Sequence, residues 1–507
     1  MDPRTPIVVG IGCITDKSPL PDIKRSRYDL LAQAAELALL DTQSADLRSC
    51  IDTLVVIRSH ADTSPRFAHQ FGSSKNPPKS VANRLNISPQ RNIYTWHSGN
   101  MPQYAANWAA EKIADREIDT VLITGGEVLK TQLFAQRESL ALNWNEDPQG
   151  SPELLGDSRT AWTNHEFDHG LKSAISIYPL FENAIRRSRG RSIDSHMRSM
   201  AKIMSGLSKV AADNENAVRP HFYTAERLAT IDEENRWISF PYSRLMVSNA
   251  FIDQAGAFIV TSVENAEKKG IPREKWVFLH GYADANDHWF VTEKPNLFSS
   301  PAIRSASKSA LKMADIDIDD IRYVDIYSCF PSAVEISCKE LGIAEDDPRG
   351  LTVTGGLPYY GGAGNSYVVM SICEMVKKLR TNTGEFGLVT ANGNWISKHS
   401  FGIYSTQPVK GKWQKNDCRT LQEEIDASPK ADFTEHPSGP SRVLTYGINF
   451  NKQGVASATI IGQELQSGRR FISLLHDDCL EGSETIDWLG AKGVVNKMEG
   501  LNIFTPN

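Results

Sequence analysis

Short apolar runs framed by turn residues alternate, over most of the chain, with longer stretches whose apolar positions recur at helical spacing. Pro6–Ile11 reads as a strand, Asp29–Leu40 as a helix and Ile51–Ile57 as a strand; a helix from Pro102 to Ala114 and a strand at Asp119–Thr124 follow. The order then returns: strand Trp276–His280, helix Ala302–Met313, strand Ile321–Tyr327, helix Tyr367–Leu379, strand Glu385–Thr390. Two βαβαβ halves of like order predict an internally duplicated α/β domain.

In each half the second helix is introduced by a loop that could not pack a core of its own. Trp96-His97-Ser98-Gly99-Asn100 precedes the first; Thr354-Gly-Gly-Leu-Pro-Tyr359-Tyr360-Gly-Gly362-Ala-Gly-Asn365-Ser366 precedes the second. Glycines let a backbone turn tightly and approach a neighbour closely. A glycine loop feeding a helix N-terminus points N–H groups at one spot, which suits a developing oxyanion or an acyl carbonyl. The strand after the second helix ends in Ala391-Asn392-Gly393-Asn394, at the side where these helix ends should meet.

The pattern breaks twice. Between residues 130 and 243 lies an excursion with Trp144, Trp162, several histidines and an arginine-rich helical tract, Glu182–Val210. Its arginines suit phosphate binding or a solvated helix face. Residues 407–440 turn polar and proline-containing, the signature of a linker, and short alternating strands follow. The expected organisation is therefore a first half over 1–265, a second half over 266–406, a linker, and an OB-like β-domain over 441–507.

Composition narrows the function. The 507 residues carry a formal charge of −6, and the tail from Gly411 holds ten basic against thirteen acidic residues, which argues against nucleic acid as partner. No apolar run approaches the roughly 20 residues of a membrane span. Seven scattered cysteines and a plain N-terminus predict a reducing, cytoplasmic setting. No metal-ligand spacing is present: His165 and His169 lack a third ligand nearby.

Tyr178-Pro-Leu-Phe-Glu-Asn-Ala184, Phe240-Pro-Tyr-Ser-Arg-Leu-Met246, Asp325-Ile-Tyr-Ser-Cys-Phe-Pro331, Gly355–Gly362 and Lys398-His399 together resemble the thiolase superfamily. Within it they resemble most the type 1 thiolase-like proteins, near the sterol-carrier-protein-x thiolases, which carry an extra C-terminal β-domain. The resemblance implies αβαβα layers, a homodimer or larger assembly, and a coenzyme A ester as substrate or ligand with no tightly bound cofactor. It also marks a departure. The position of the nucleophilic cysteine holds Trp96, that of the loop histidine Gly362, that of the second cysteine Ala391, and that of the Asn or His of the fourth motif Tyr327. Acyl transfer through a cysteine is therefore not expected.

What stands in place of those groups defines the candidates. Tyr327, His399 and Tyr360 are the catalytic candidates, since a phenol or imidazole acts as acid or base when its surroundings shift its pKa. Trp96, His97, Ser98, Gly99, Asn100, Tyr359, Gly362, Asn365, Asn392 and Gly393 are the substrate-binding candidates. Three readings follow: an acyltransferase-like enzyme working on a CoA ester without an acyl-cysteine, a retro-aldolase-type lyase using tyrosines, and a non-catalytic acyl-CoA-binding or partner protein.

Overall fold

The computed structural model describes every residue except Pro19. The first half contributes β1 (Pro6–Thr15), β2 (Thr53–Val56), β3 (Arg91–Thr95), β4 (Thr120–Val128) and β5 (Glu153–Leu155). Next come two short strands of the excursion, β6 (Trp237–Phe240) and β7 (Tyr242–Ser243), and then β8 (Asp253–Ser262). The second half supplies β9 (Val277–Asn286), β10 (Ile321–Asp325), β11 (Phe386–Gly393) and β12 (Lys398–Ser405).

The halves repeat one order. β3-β2-β4-β8-β1 is followed across the sheet by β9-β12-β11-β10, the two joined edge to edge where Ile7 faces Phe278 and Val8 faces Val277. β4 and β8 are buried along their full length, which is why they read as continuous apolar runs rather than alternating ones. The helices Met101–Ala114 and Tyr367–Thr381 pack against each other and against strands of both halves, forming the middle layer. Arg27–Asp41 covers the first half outside, and Pro301–Ala314 the second. The duplication extends to close contacts. A Cβ at Gly12 would lie 2.3 Å from the Ala34 carbonyl oxygen, and one at Gly281 would lie 2.1 Å from that of Ala310. Each half thus uses a glycine in its opening strand to let its outer helix come close.

The tail folds as expected into a small barrel. β13 (Gly439–Asn451), β14 (Gly454–Glu464), β15 (Arg470–Leu475), β16 (Lys492–Met498) and β17 (Leu501–Pro506) close in the order β13-β14-β15-β17-β16-β13. Only β15–β17 is parallel, as in an OB-type barrel. The barrel is sewn to the excursion: Ile448 of β13 pairs with Phe240 of β6, and Phe240 enters the barrel core with Tyr446, Ile460 and Phe504.

Residues 407–440, read as an open linker, instead run along the second half. The Trp413 indole is buried and donates to the Leu279 carbonyl at 2.8 Å, a helix forms at Cys418–Asp426, and Ile425 is buried. The arginine tract divides: Arg198 and Lys202 lie on an exposed helix face, as the solvated reading has it, whereas Arg186 and Arg189 are turned inward. Arg186, 2% exposed, makes two 2.7 Å bonds to Asp487 of the barrel, and Arg189 pairs with Glu335 and Glu345 of the second half. Arg187 donates to the Leu444 carbonyl. These cations therefore hold the pieces together. Among the described residues no helix is long and apolar enough to cross a membrane.

Candidate active site

The head of the first central helix meets the ends of β10 and β11. Tyr327 follows β10, with its backbone N–H donated to Thr390 Oγ1 at 3.0 Å. A Cβ built on Gly99 would lie 2.4 Å from the Tyr327 hydroxyl oxygen and 2.5 Å from the Asn392 carbonyl oxygen. One built on Gly393 would collide with Ser98 Oγ. Glycine at these two positions is what allows loop, phenol and strand end to converge. Asn100, the N-cap residue of the helix, donates from Nδ2 to Ser400 Oγ at 3.1 Å. Ser98 Oγ, Asn100 Oδ1 and Asn392 Oδ1 are buried there without hydrogen-bond partners. Buried polar groups without partners are rare and point to a ligand, water or strain.

The junction is lined by neutral groups. Asn392 Nδ2 donates to the Tyr178 hydroxyl at 3.1 Å and stands 4.0 Å from Cys329 Sγ. The Tyr178 ring stacks on Phe330 at 4.4 Å, and Tyr367 meets Tyr327 edge-on at 5.7 Å. Burial raises the pKa of Tyr327 and Tyr178 well above that of a free phenol, and the neighbouring Cys329 adds to this. Both hydroxyls therefore keep their protons and serve as donors. Burial also pushes the Cys329 thiol up to about 12, so it holds no thiolate at neutral pH.

Trp96, His97 and Lys398 form the rim. The Trp96 ring lies under the Arg58 guanidinium at 5.2 Å, and the Trp96 backbone N–H donates to the Leu155 carbonyl at 2.7 Å. His97 is half-buried, and burial followed by the Lys398 charge holds its pKa down. Lys398 Nζ is buried with no hydrogen-bond partner. Over this rim runs the 157–163 loop, held by the Trp289 indole on the Thr160 carbonyl at 2.6 Å and the Trp395 indole on that of Ala161 at 3.1 Å.

The remaining candidates lie in other contacts. The Tyr360 hydroxyl donates to Glu374 Oε1 at 3.3 Å beside Cys13 and Cys373, in the core. Tyr359 stacks on Tyr223 at 5.6 Å. Gly362 donates its N–H to the Asn249 carbonyl at 2.9 Å, and Asn365 Nδ2 reaches the Arg58 carbonyl at 3.1 Å. His399 Nε2 stands 3.6 Å from the Asp287 carboxylate, which also accepts the Ala302 N–H. So Trp96, His97, Ser98, Gly99, Asn100, Tyr327, Asn392 and Gly393 converge, whereas Tyr360, Gly362 and Asn365 are held by these other partners, and Tyr359 and His399 lie apart with the Tyr359 hydroxyl and His399 Nε2 buried and unpartnered. Tyr178 and Lys398 were missed. Tyr178 sits mid-helix, where its spacing is that of a core residue.

Two duplicated halves with their central helices between them are the architecture of the thiolase superfamily, and the comparisons agree. Residues 283–406 match the family model described as thiolase C-terminal domain-like. A crystal structure of a monomeric SCP2-thiolase-like protein type 1 from Mycobacterium smegmatis is 35% identical, with 100% of both chains covered and a TM-score of 0.84. The chain belongs to this SCP2-thiolase-like family. Two further structures share the fold: an Ltp2–ChsH2(DUF35) aldolase, 18% identical over 80% of this chain and 98% of that one, and an acetyl-CoA acetyltransferase from Syntrophomonas wolfei, 15% identical over 80% and 99%; each has a TM-score of 0.57. A curated acetyl-CoA acetyltransferase of Methanocaldococcus jannaschii is 25% identical over 136 residues, 24% of this chain and 34% of its own length.

Proposed function

We propose that this protein binds a coenzyme A thioester with its carbonyl at the head of the first central helix and acts on it without an acyl-cysteine. Tyr327 is the residue assigned to the reacting oxygen. What carries this reading is the Tyr327 hydroxyl, held against Gly99 and the Asn392 carbonyl among buried polar groups that lack partners. A neutral phenol there donates a hydrogen bond as negative charge develops on an enolate or alkoxide, a contribution worth about 2.7–4 kcal/mol for comparable donors. Trp96 in the nucleophile's place and a protonated Cys329 leave no thiolate to be acylated. Both phenols being kept protonated favours carbonyl stabilisation in acyl or C–C bond chemistry over a retro-aldol step that uses tyrosine as base.

The close packing at Gly99 favours a second reading, a CoA-ester-binding protein without turnover. One series of measurements separates the two. Tyr327→Phe keeps the ring and removes the hydroxyl. Under the enzymatic reading, turnover of a panel of acyl-CoA esters falls about two to three orders of magnitude while affinity stays nearly unchanged. Absence of turnover in the wild type, with acyl-CoA binding retained, establishes the binding reading. Intact mass after acetyl-CoA treatment is expected to show no acetyl adduct; an adduct on Cys329 overturns the acyl-cysteine-free mechanism. For assembly, the description of the mycobacterial protein as monomeric favours a monomer over the expected homodimer, and sedimentation decides between one chain and two.

A further inference from the structure

Three buried side chains that no sequence spacing connects meet among the helices Ala174–Ser188, Ile193–Ala212 and Pro331–Leu341. Glu182 is 0% exposed, and His196 and Glu335 are each 1% exposed. One ligand atom from each lies within 4.8 Å of the other two. Glu182 Oε1 is 2.5 Å from His196 Nε2, and Glu335 Oε2 is 3.9 Å from the same nitrogen.

The other oxygen of each carboxylate is already claimed. The Tyr242 hydroxyl donates to Glu182 Oε2 at 2.7 Å, and Arg189 Nη1 donates to Glu335 Oε1 at 2.7 Å. These donors turn Glu182 Oε1 and Glu335 Oε2 inward, toward the imidazole. Glu335 Oε2 then has no hydrogen-bond partner at all, although it is fully buried. Arg189 is paired with the other oxygen of Glu335, so the inward-facing one, beside a second carboxylate and an imidazole, is left open.

We infer that Glu182, His196 and Glu335 form a buried site for a first-row divalent cation of the zinc or manganese type. The imidazole is a borderline donor that, beside two hard carboxylates, suits such ions better than calcium or magnesium, which take oxygen ligands. Among the described residues Arg189 is the one lysine or arginine paired with this group, so a divalent ion also balances the second carboxylate. Tyr242 and Arg189 are outer-shell partners that orient the ligating carboxylates. His196 Nδ1 has no partner, so its ring is placed by packing and by Nε2. A cleft of about 690 Å³ lined by Arg189, Ser199 and Cys338 lies beyond the Arg189–Glu335 pair, and the three ligands themselves lie behind its wall. Because Glu182 lies one helical turn beyond Tyr178, the bound ion would tie the Tyr178 helix to the helix that follows Phe330. The site thus supports the Tyr178–Asn392 contact without taking part in the chemistry there.

The test uses the full chain, stripped with a chelator and titrated separately with Zn²⁺ and Mn²⁺ by calorimetry, with metal content measured after gel filtration. One equivalent per chain is expected, with a melting temperature that rises with free cation. Glu335→Gln and His196→Gln, each checked for fold by circular dichroism, are expected to weaken binding at least tenfold. Failure of the wild type to take up either ion overturns the proposal, as does undiminished uptake by a folded Glu335→Gln variant. Should both variants unfold, crystals of the wild type soaked in Zn²⁺ decide: an anomalous peak among the three side chains supports the site, and its absence overturns it.

Discussion

The two central helices begin in junctions of the same kind and opposite character. The head of the second, Gly364-Asn365-Ser366, is set against the end of β4, where a Cβ on Gly364 would lie 3.1 Å from Glu127 Oε1. Glu127 there is buried and engaged: it accepts from Ser59 Oγ at 2.9 Å and the His60 N–H at 2.6 Å, with Arg27 3.9 Å away. The head of the first helix is set against the end of β11, where the neighbours are the neutral Tyr327, Asn392 and Tyr178 and several polar atoms have no partner. A duplicated scaffold has thus built one junction on a buried ion pair and the other on neutral groups, and both keep buried polar atoms without partners, Ser366 Oγ and His60 Nδ1 at the one and Ser98 Oγ, Asn100 Oδ1 and Asn392 Oδ1 at the other. Function is expected at the neutral junction, because there the unpartnered oxygens gather around the Tyr327 hydroxyl with no buried charge pair beside them.

The largest effect is expected from breaking the ion pair. Glu127→Ala leaves the Arg27 guanidinium buried without its carboxylate and frees two donors, so unfolding free energy in urea is expected to fall by about 3–5 kcal/mol. Asn392→Ala at the other junction removes one neutral hydrogen bond and is expected to cost only about 1 kcal/mol. Equal costs at the two positions would erase the contrast drawn between the junctions.

Gly99→Ala tests the close approach directly. The added methyl would meet the Tyr327 hydroxyl at 2.4 Å and the Asn392 carbonyl at 2.5 Å, and the carbonyl belongs to a strand that cannot retreat. A loss of about 1–3 kcal/mol is expected, the usual range for overpacking. Combining it with Tyr327→Phe removes one of the two obstacles, so a double-mutant cycle is expected to show partial rescue. Strict additivity would separate the phenol from Gly99.

How far these junctions were legible follows from their chemistry. β4 was readable because a strand buried on both faces carries an unbroken apolar run, here Val121-Leu-Ile123, and the glycine loops were readable because glycine marks close backbone approach. Side-chain direction was not. Tyr359 and Tyr360 are neighbours in one loop, yet one turns to Tyr223 and the other to Glu374. Tyr178 and Glu182 look like the buried face of an ordinary helix until strands and helices distant in sequence are brought against them. β17 escaped notice because a strand of six residues with few buried positions carries little periodicity. The pairing of β6 with β13 joins segments roughly 200 residues apart, and nothing in either segment names the other.

The smallest expected effect concerns Lys398 at the rim of the first junction. Its ammonium is buried without a hydrogen-bond partner, with the Trp289 ring 5.5 Å away. Burial lowers its pKa from 10.5 to about 8; Asp157 opposes the shift and Arg159 adds to it. Because the folded value lies below the unfolded one, the unfolded chain binds more protons between about pH 8 and 10.5. Lys398 therefore weakens the fold most below pH 8, and this penalty fades as pH rises through that window. From pH 8 to 9 the wild type is expected to gain about 1 kcal/mol relative to Lys398→Met, read as the difference between their urea midpoints. Taking the difference removes the other groups that titrate in the same range. An anionic ligand at this rim supplies the missing partner, so saturating CoA ester is expected to flatten the difference. Identical pH slopes for the two proteins would mean that the ammonium reaches water, at the mouth of the first junction rather than inside it.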